Sequence, residues 1–132
     1  MIVVDTSALY AVQFGEPEAQ NFARLLRAER RPMIGAPTLF EFYLVVTGKF
    51  GPPGLFESKQ LIERIGAVII NWDEDMAEIA AAAFLRYGRG RDKAKLNFGD
   101  CMSYALAKSF DAPLLFKGDD FAQTDIRSAL QK

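Results

Sequence analysis

Apolar positions fall along the chain in short runs that alternate with helical stripes. Met1 to Val4 is a β-branched run closed by Asp5, the pattern of a strand buried on both faces in a parallel sheet. Ala8 to Phe14 predicts a helix. A second helix begins near Pro17, where a first turn tolerates proline; Phe22, Leu25 and Leu26 share its apolar face, arginines occupy the others, and Pro32 stops it. Met33 to Ala36 predicts a second strand, and Thr38 to Phe50 an apolar helix ended by Gly51, Pro52 and Pro53. Leu55 to Ile65 reads as another helix and Ala67 to Trp72 as a third strand. Asp73, Glu74 and Asp75 open a helix running to Tyr87, because acids favour a helix N-terminus. Beyond the polar stretch Gly88 to Lys95 come a helix from about Asn97 to Phe110, a fourth strand at Pro113 to Phe116, and a loop from Gly118 to Asp125. Strands that alternate with helices predict a parallel sheet covered on both faces, an α/β fold. No repeat or linker interrupts the pattern, so residues 1–132 read as a single domain.

Composition narrows the chemistry. At 132 residues, 50% of them hydrophobic, the chain can bury a core without disulfides or structural metal. Cys101 is the sole cysteine and has no intrachain partner. There is no histidine, which removes Ser-His-Asp and Cys-His nucleophile pairs, histidine bases and the usual zinc hydrolase sites. Hydrolysis then falls to carboxylates, lysine, hydroxyls or a hard metal ion. The net charge of -1 supplies no global basic field to recruit nucleic acid, although a local patch can still do so. No signal-peptide core or membrane-length apolar run is visible, which predicts a cytoplasmic protein with no membrane partner.

In an open α/β sheet, chemistry is sought just past strand ends and at helix starts. Four acidic positions fall there. Asp5 ends the first strand and precedes the hydroxyls of Thr6 and Ser7; it also suits a helix cap. Glu41 lies inside the apolar LFEFYLVV, where burial raises a carboxyl pKa, yet Thr38 and Glu41 also have the spacing of a capping box. Asp100, in LNFGDCMSYALAK, opens a largely apolar helix that Asn97 can cap. Asp119 and Asp120 follow the last strand after Gly118, which is equally plain turn chemistry. If these acids converge, they cannot all ionise without a counter-charge, and a hard divalent cation, Mg²⁺ or Mn²⁺, answers that need.

The chain resembles the PIN-domain ribonucleases, specifically the VapC-type toxins of toxin–antitoxin pairs, over essentially its whole length. The likeness rests on VVDTSAL, TLFEF, RYGRGRDKAKLNFGDCMSYALAK and PLLFKGDDFAQTDI. It implies a three-layer α/β/α sandwich with a central parallel sheet, and Mg²⁺- or Mn²⁺-dependent endonuclease action on RNA by in-line attack of a metal-activated water. It further implies that Asp5 and Asp100 are direct metal ligands. Glu41 completes the cluster as a ligand or as an orienter of water, and Thr6 and Ser7 stand beside it. For the fourth acid the chain offers both Asp119 and Asp120, with a lean to Asp119. A homodimer and an antitoxin seated on an apolar groove are also implied.

Arg86, Arg89, Arg91, Lys93 and Lys95 stand against one acid, Asp92, in the segment that runs into the Asp100 helix. Conditional on the resemblance, Arg89, Arg91 and Lys93 are expected to contact the RNA backbone; a solvated surface loop is the bland alternative. Core packing is expected for Phe98, Tyr104 and most of the apolar residues in Phe40 to Val46 and Leu55 to Ile65. Two other readings remain. One is a receiver-like Mg²⁺-binding signalling module, loosely suggested by Asp73 and Lys117; the other is a PIN-fold RNA-binding protein without catalysis.

Overall fold

The strand that begins the chain sits at the middle of the sheet, and the rest of the fold is arranged around it. In the computed structural model, which describes residues 1–130, the order is β1 (Val3–Val4), α1 (Thr6–Gln13), α2 (Ala19–Ala28), β2 (Met33–Gly35) and α3 (Ala36–Arg64). There follow β3 (Val68–Ile70), α4 (Glu74–Tyr87), α5 (Phe98–Ser109), β4 (Leu114–Leu115) and a 3-10 turn at Phe121–Gln123. All pairings are parallel and the spatial order is β3-β2-β1-β4, with Val3 opposite both Met33 and Leu114.

Successive strand residues point to opposite faces, so Val3, Met33 and Leu114 pack under α4 and α5, while Val4, Ile34 and Leu115 pack under α1, α2 and α3. These two cores make the three-layer α/β/α sandwich. Chain order runs outward from β1 through β2 to β3, then returns to place β4 on the other side of β1. The reversal opens a crevice beyond the carboxyl ends of β1 and β4, the usual place for a ligand in such sheets.

Helix α3 departs from the sequence expectation at its start. It begins at Ala36, its cap is the extended Gly35, and no side chain bonds the cap. Pro37 in the first turn, fixed near a helical φ, lets the helix start before Thr38. The Thr38–Glu41 capping box therefore does not form. At Gly51 the backbone takes φ 67°, ψ -162°, a left-handed value open to glycine, and helix resumes through Pro52 and Pro53. The expected break is thus a kink.

Several aromatics expected in the core lie outside it. Phe42, Val46, Leu61 and Ile62 are buried, but Phe40 is 65% exposed, and Leu44, Phe50 and Phe56 are also exposed. Only one stripe of α3 can face the sheet, and these residues lie off it. Tyr104 is buried as expected, whereas Phe98, the first residue of α5, is 82% exposed. No described helix is long and apolar enough to cross a membrane.

Candidate active site

Asp5 leaves β1 in an extended conformation and caps α1. Its Oδ2 accepts the Ser7 backbone N–H at 3.0 Å and the Ser7 hydroxyl at 2.6 Å, while Oδ1 accepts the Ser103 hydroxyl. Capping and site-building are one arrangement here, because these bonds fix a carboxylate that is only 4% exposed. The Ser7 hydroxyl also accepts the Lys117 backbone N–H at 3.0 Å and so ties the end of β1 to the segment after β4. Ser103, one turn beyond Asp100 on α5, has its hydroxyl 3.4 Å from that of the buried Thr38.

Glu41 enters from α3. Its Oε1 accepts the Thr6 hydroxyl at 2.6 Å, a contact between residues 35 positions apart. The carboxyl packs directly on Gly99, where a Cβ would stand 2.6 Å from Glu41 Cδ and 2.8 Å from Oε1. Burial, opposed by the Thr6 bond and reinforced by the charge of Asp5, pushes the Glu41 carboxyl above the ordinary range.

Asp100 is held by a full capping box. Its N–H donates to Asn97 Oδ1 at 2.8 Å, and its Oδ2 accepts the Asn97 N–H at 3.0 Å. Its carboxyl is pushed up to about 7. Burial is the main cause, the Asn97 N–H works against it, and the charges of Asp5, Asp120 and Glu41 add to it. The last three show convergence: acids from four segments act on one another across the crevice. Of the two aspartates after β4, it is Asp120 whose charge reaches Asp100; both lie on an exposed turn.

Asp5, Thr6, Ser7, Glu41 and Asp100 line one cavity of about 490 Å³ at the switch point between β1 and β4. Arg89, Arg91 and Lys93 do not. They sit on the exposed connection between α4 and α5, ordered by Gly88 pairing with Leu96 and by Arg91 Nε donating to Leu85 O at 3.3 Å. The cations at the cavity are Lys49 and Lys117. Lys117 Nζ is 3.1 Å from Glu16 and 3.4 Å from Glu18.

The sequence reading missed Ser103, Gly99 and Lys49. Ser103 carried a visible signal, a polar residue one turn from Asp100 in an otherwise apolar helix; Gly99 stood in a first turn where glycine has no local purpose. Cys101, adjacent to Asp100, is buried with its thiol pushed up to about 11 by burial and the Asp100 charge, so it is a packing residue rather than a nucleophile.

The donor set suits a hard divalent cation. Every candidate ligand is oxygen, and among the described residues no cation pairs with Asp5, Glu41 or Asp100. Among the described residues, no three of these carboxylates form a ready metal-ligating cluster. An ion that keeps several waters and takes one or two carboxylates does not need such a cluster.

A sequence model of the PIN domain matches residues 2–127. The chain is 42% identical over 125 residues to ribonuclease VapC30 of Mycobacterium tuberculosis, covering 95% of each protein. Its fold matches that of M. tuberculosis VapC20, a sarcin-ricin loop cleaving toxin, with TM-score 0.78 at 18% identity over 96% of each chain. It also matches a chain of a toxin-antitoxin complex from Klebsiella pneumoniae, with TM-score 0.69 at 23% identity over 95% of this chain and 93% of that one. The chain belongs to the PIN domain family, in its VapC ribonuclease branch.

Proposed function

We propose that the chain is a divalent-metal-dependent endoribonuclease, the toxin of a toxin–antitoxin pair, and that Asp5, Glu41 and Asp100 carry the hydrolysis of RNA phosphodiester bonds. The observation that supports this most is the gathering of acids from separate segments in one cavity, where burial first and their mutual charge second raise Asp100 to about 7 and, among the described residues, no cation pairs with it.

Asp5 and Asp100 would hold the ion, Mg²⁺ or Mn²⁺. When bound, it lowers the pKa of a coordinated water and offsets charge on the attacked phosphate. Ser7 and Ser103 already fix both oxygens of Asp5 in place. Glu41, steadied by Thr6, serves as a further ligand or orients the attacking water. Asp120 is the better-supported fourth acid, and Asp119 remains the neighbour to compare with it. Arg89, Arg91 and Lys93, exposed beside the start of α5, would attract the RNA backbone.

An antitoxin and a second copy of the chain are the protein partners proposed for the exposed apolar side chains of α3 and for Phe98. The proposed compartment is the cytoplasm, where RNA is at hand. The receiver-like alternative is weakened: Lys117 lines the cavity but pairs with Glu16 and Glu18, and Asp73 is used as the cap of α4, accepting the Met76 N–H at 3.0 Å, and does not line the cavity.

The test uses partner-free protein incubated with total RNA and Mg²⁺ or Mn²⁺, beside Asp5→Asn and Asp100→Asn. Cleavage by the unaltered chain alone is expected. Equal cleavage by all three would point to a contaminating nuclease and remove the site assignment.

A further inference from the structure

Glu41, Val45 and Lys49 all line the acid cavity, and their spacing of four stacks them on one face of α3. Lys49 lies eight residues beyond Glu41, about 12 Å along the helix axis. Its ammonium donates to the Tyr10 hydroxyl at 3.3 Å and stands 5.0 Å from the centre of the Tyr10 ring. The cavity's other cation, Lys117, is engaged by Glu16 and Glu18. Among the described residues no carboxylate pairs with Lys49. Among the described residues, the acid-lined cavity therefore carries one cation without a carboxylate partner, two turns of α3 beyond Glu41 and held by the hydroxyl and ring face of Tyr10. Contacts of that kind are weak, and a phosphate is a stronger partner for an ammonium because both groups are charged.

We propose that Lys49, braced by Tyr10, grips a backbone phosphate of the RNA other than the one being cleaved, and so is a substrate-positioning residue. Two turns of α3 separate Lys49 from Glu41, which favours a phosphate further along the strand over the one at the acids. Lys49 thus fixes the register of the strand across the cavity, leaving the chemistry to the acids. This inference rests on the ribonuclease reading.

The test follows cleavage of a fluorescein-labelled, mixed-sequence oligoribonucleotide by the full chain, as unaltered protein and as Lys49→Gln, Lys49→Arg and Lys59→Gln. Lys59 is the control: its ammonium lies 6.0 Å from the Tyr43 ring, a similar aromatic contact, but it does not line the cavity. Lys49→Gln should raise KM about tenfold with kcat within about twofold. It should also flatten the logarithmic salt dependence of kcat/KM by about 0.7, the share of one single-strand phosphate contact. Lys49→Arg should restore both, and Lys59→Gln should match the unaltered chain. Unchanged KM and salt slope in Lys49→Gln would overturn the inference, as would a fall in kcat at constant KM or an equal effect of Lys59→Gln. Unaltered RNA kinetics with lost capture of a protein partner would reassign the residue to that interface and overturn it too. If the unaltered chain cleaves no RNA, the ribonuclease reading itself falls; cleavage with an inert Lys49→Gln removes this inference alone.

Discussion

Asp5, Glu41 and Asp100 come from three separate segments to reach one cavity, whereas Arg89, Arg91 and Lys93 come from a single loop and stay in solvent. The acid region is assembled by the fold and works against it: burial and mutual repulsion raise the carboxyls of Glu41 and Asp100. The basic region costs the fold little, since exposed charges are hydrated and screened. Changes in the cavity should therefore move activity and stability in different directions. Changes in the loop should move only the attraction for RNA.

The largest effect is expected at Asp100. Asp100→Asn should lower cleavage by ~10²-fold or more, because a developing charge loses its nearest support. The amide can still accept the Asn97 N–H, and it carries no charge to repel Asp5, Asp120 and Glu41. Metal-free protein should then melt at a higher temperature than the unaltered chain once the pH exceeds the range in which Asp100 ionises. Activity lost together with stability would make Asp100 a structural cap and erase the contrast between the regions.

Gly99→Ala comes next. The added Cβ would overlap the Glu41 carboxyl. Glu41 can swing away at the far end of its side chain, so the stability cost should stay near the lower end of the ~1–3 kcal/mol typical of overpacking. Cleavage should fall more than stability does, because the Thr6–Glu41 bond at 2.6 Å cannot survive the swing. Thermal melting alongside an RNA-cleavage assay reads both; a fall in stability without a change in rate would detach Glu41 from the chemistry.

The Gly99 contact shows where sequence reading stops. Asp5 and Asp100 were legible as cavity residues because a strand end or a helix start is a local pattern, and the capping roles weighed against them coexist with lining the cavity. Alternating strands and helices made the parallel sheet legible for the same reason. The role of Glu41 was only half legible: its apolar surroundings predicted a raised pKa, but its partner Thr6 lies 35 residues away and nothing local names it. The capping box expected with Thr38 failed because Pro37 allowed α3 to begin earlier. Phe98 and Phe40 were misplaced because hydrophobicity does not say which stripe of a helix the sheet will cover. The loop arginines were grouped with the acids because they are neighbours in sequence, and the cavity instead received Lys49 from α3 and Lys117 from beyond β4.

A smaller effect should appear in the pH dependence of stability. The folded-state pKa of Asp100 is raised from 3.8 to about 7, so the folded chain binds a proton that the unfolded chain releases. The contribution of this group is present below the unfolded value and is lost as pH rises toward about 7. Melting of metal-free protein should fall across that interval, and Asp100→Asn should flatten the trend. Divalent cations should restore stability increasingly with pH, because proton and metal compete for the same oxygens. A melting temperature independent of both pH and cation would mean that the acids do not repel one another.

The smallest effect on the reaction is expected from the loop. With Arg89 and Arg91 changed to Gln, kcat should hold, because neither residue lines the cavity. If both meet phosphates, the logarithmic salt slope of RNA binding should flatten by about 1.4, twice the share of a single-strand contact. The change removes the exposed Arg91 Nε bond to Leu85 O, but the backbone pairing of Gly88 with Leu96 and the Asp92 bond to the Ala94 N–H remain, so the path of the loop should stay intact. A changed slope with constant kcat would assign the loop to recruitment and the cavity to chemistry. An unchanged slope would leave the loop as solvated surface, and the search for phosphate contacts would then move to the cations that line the cavity.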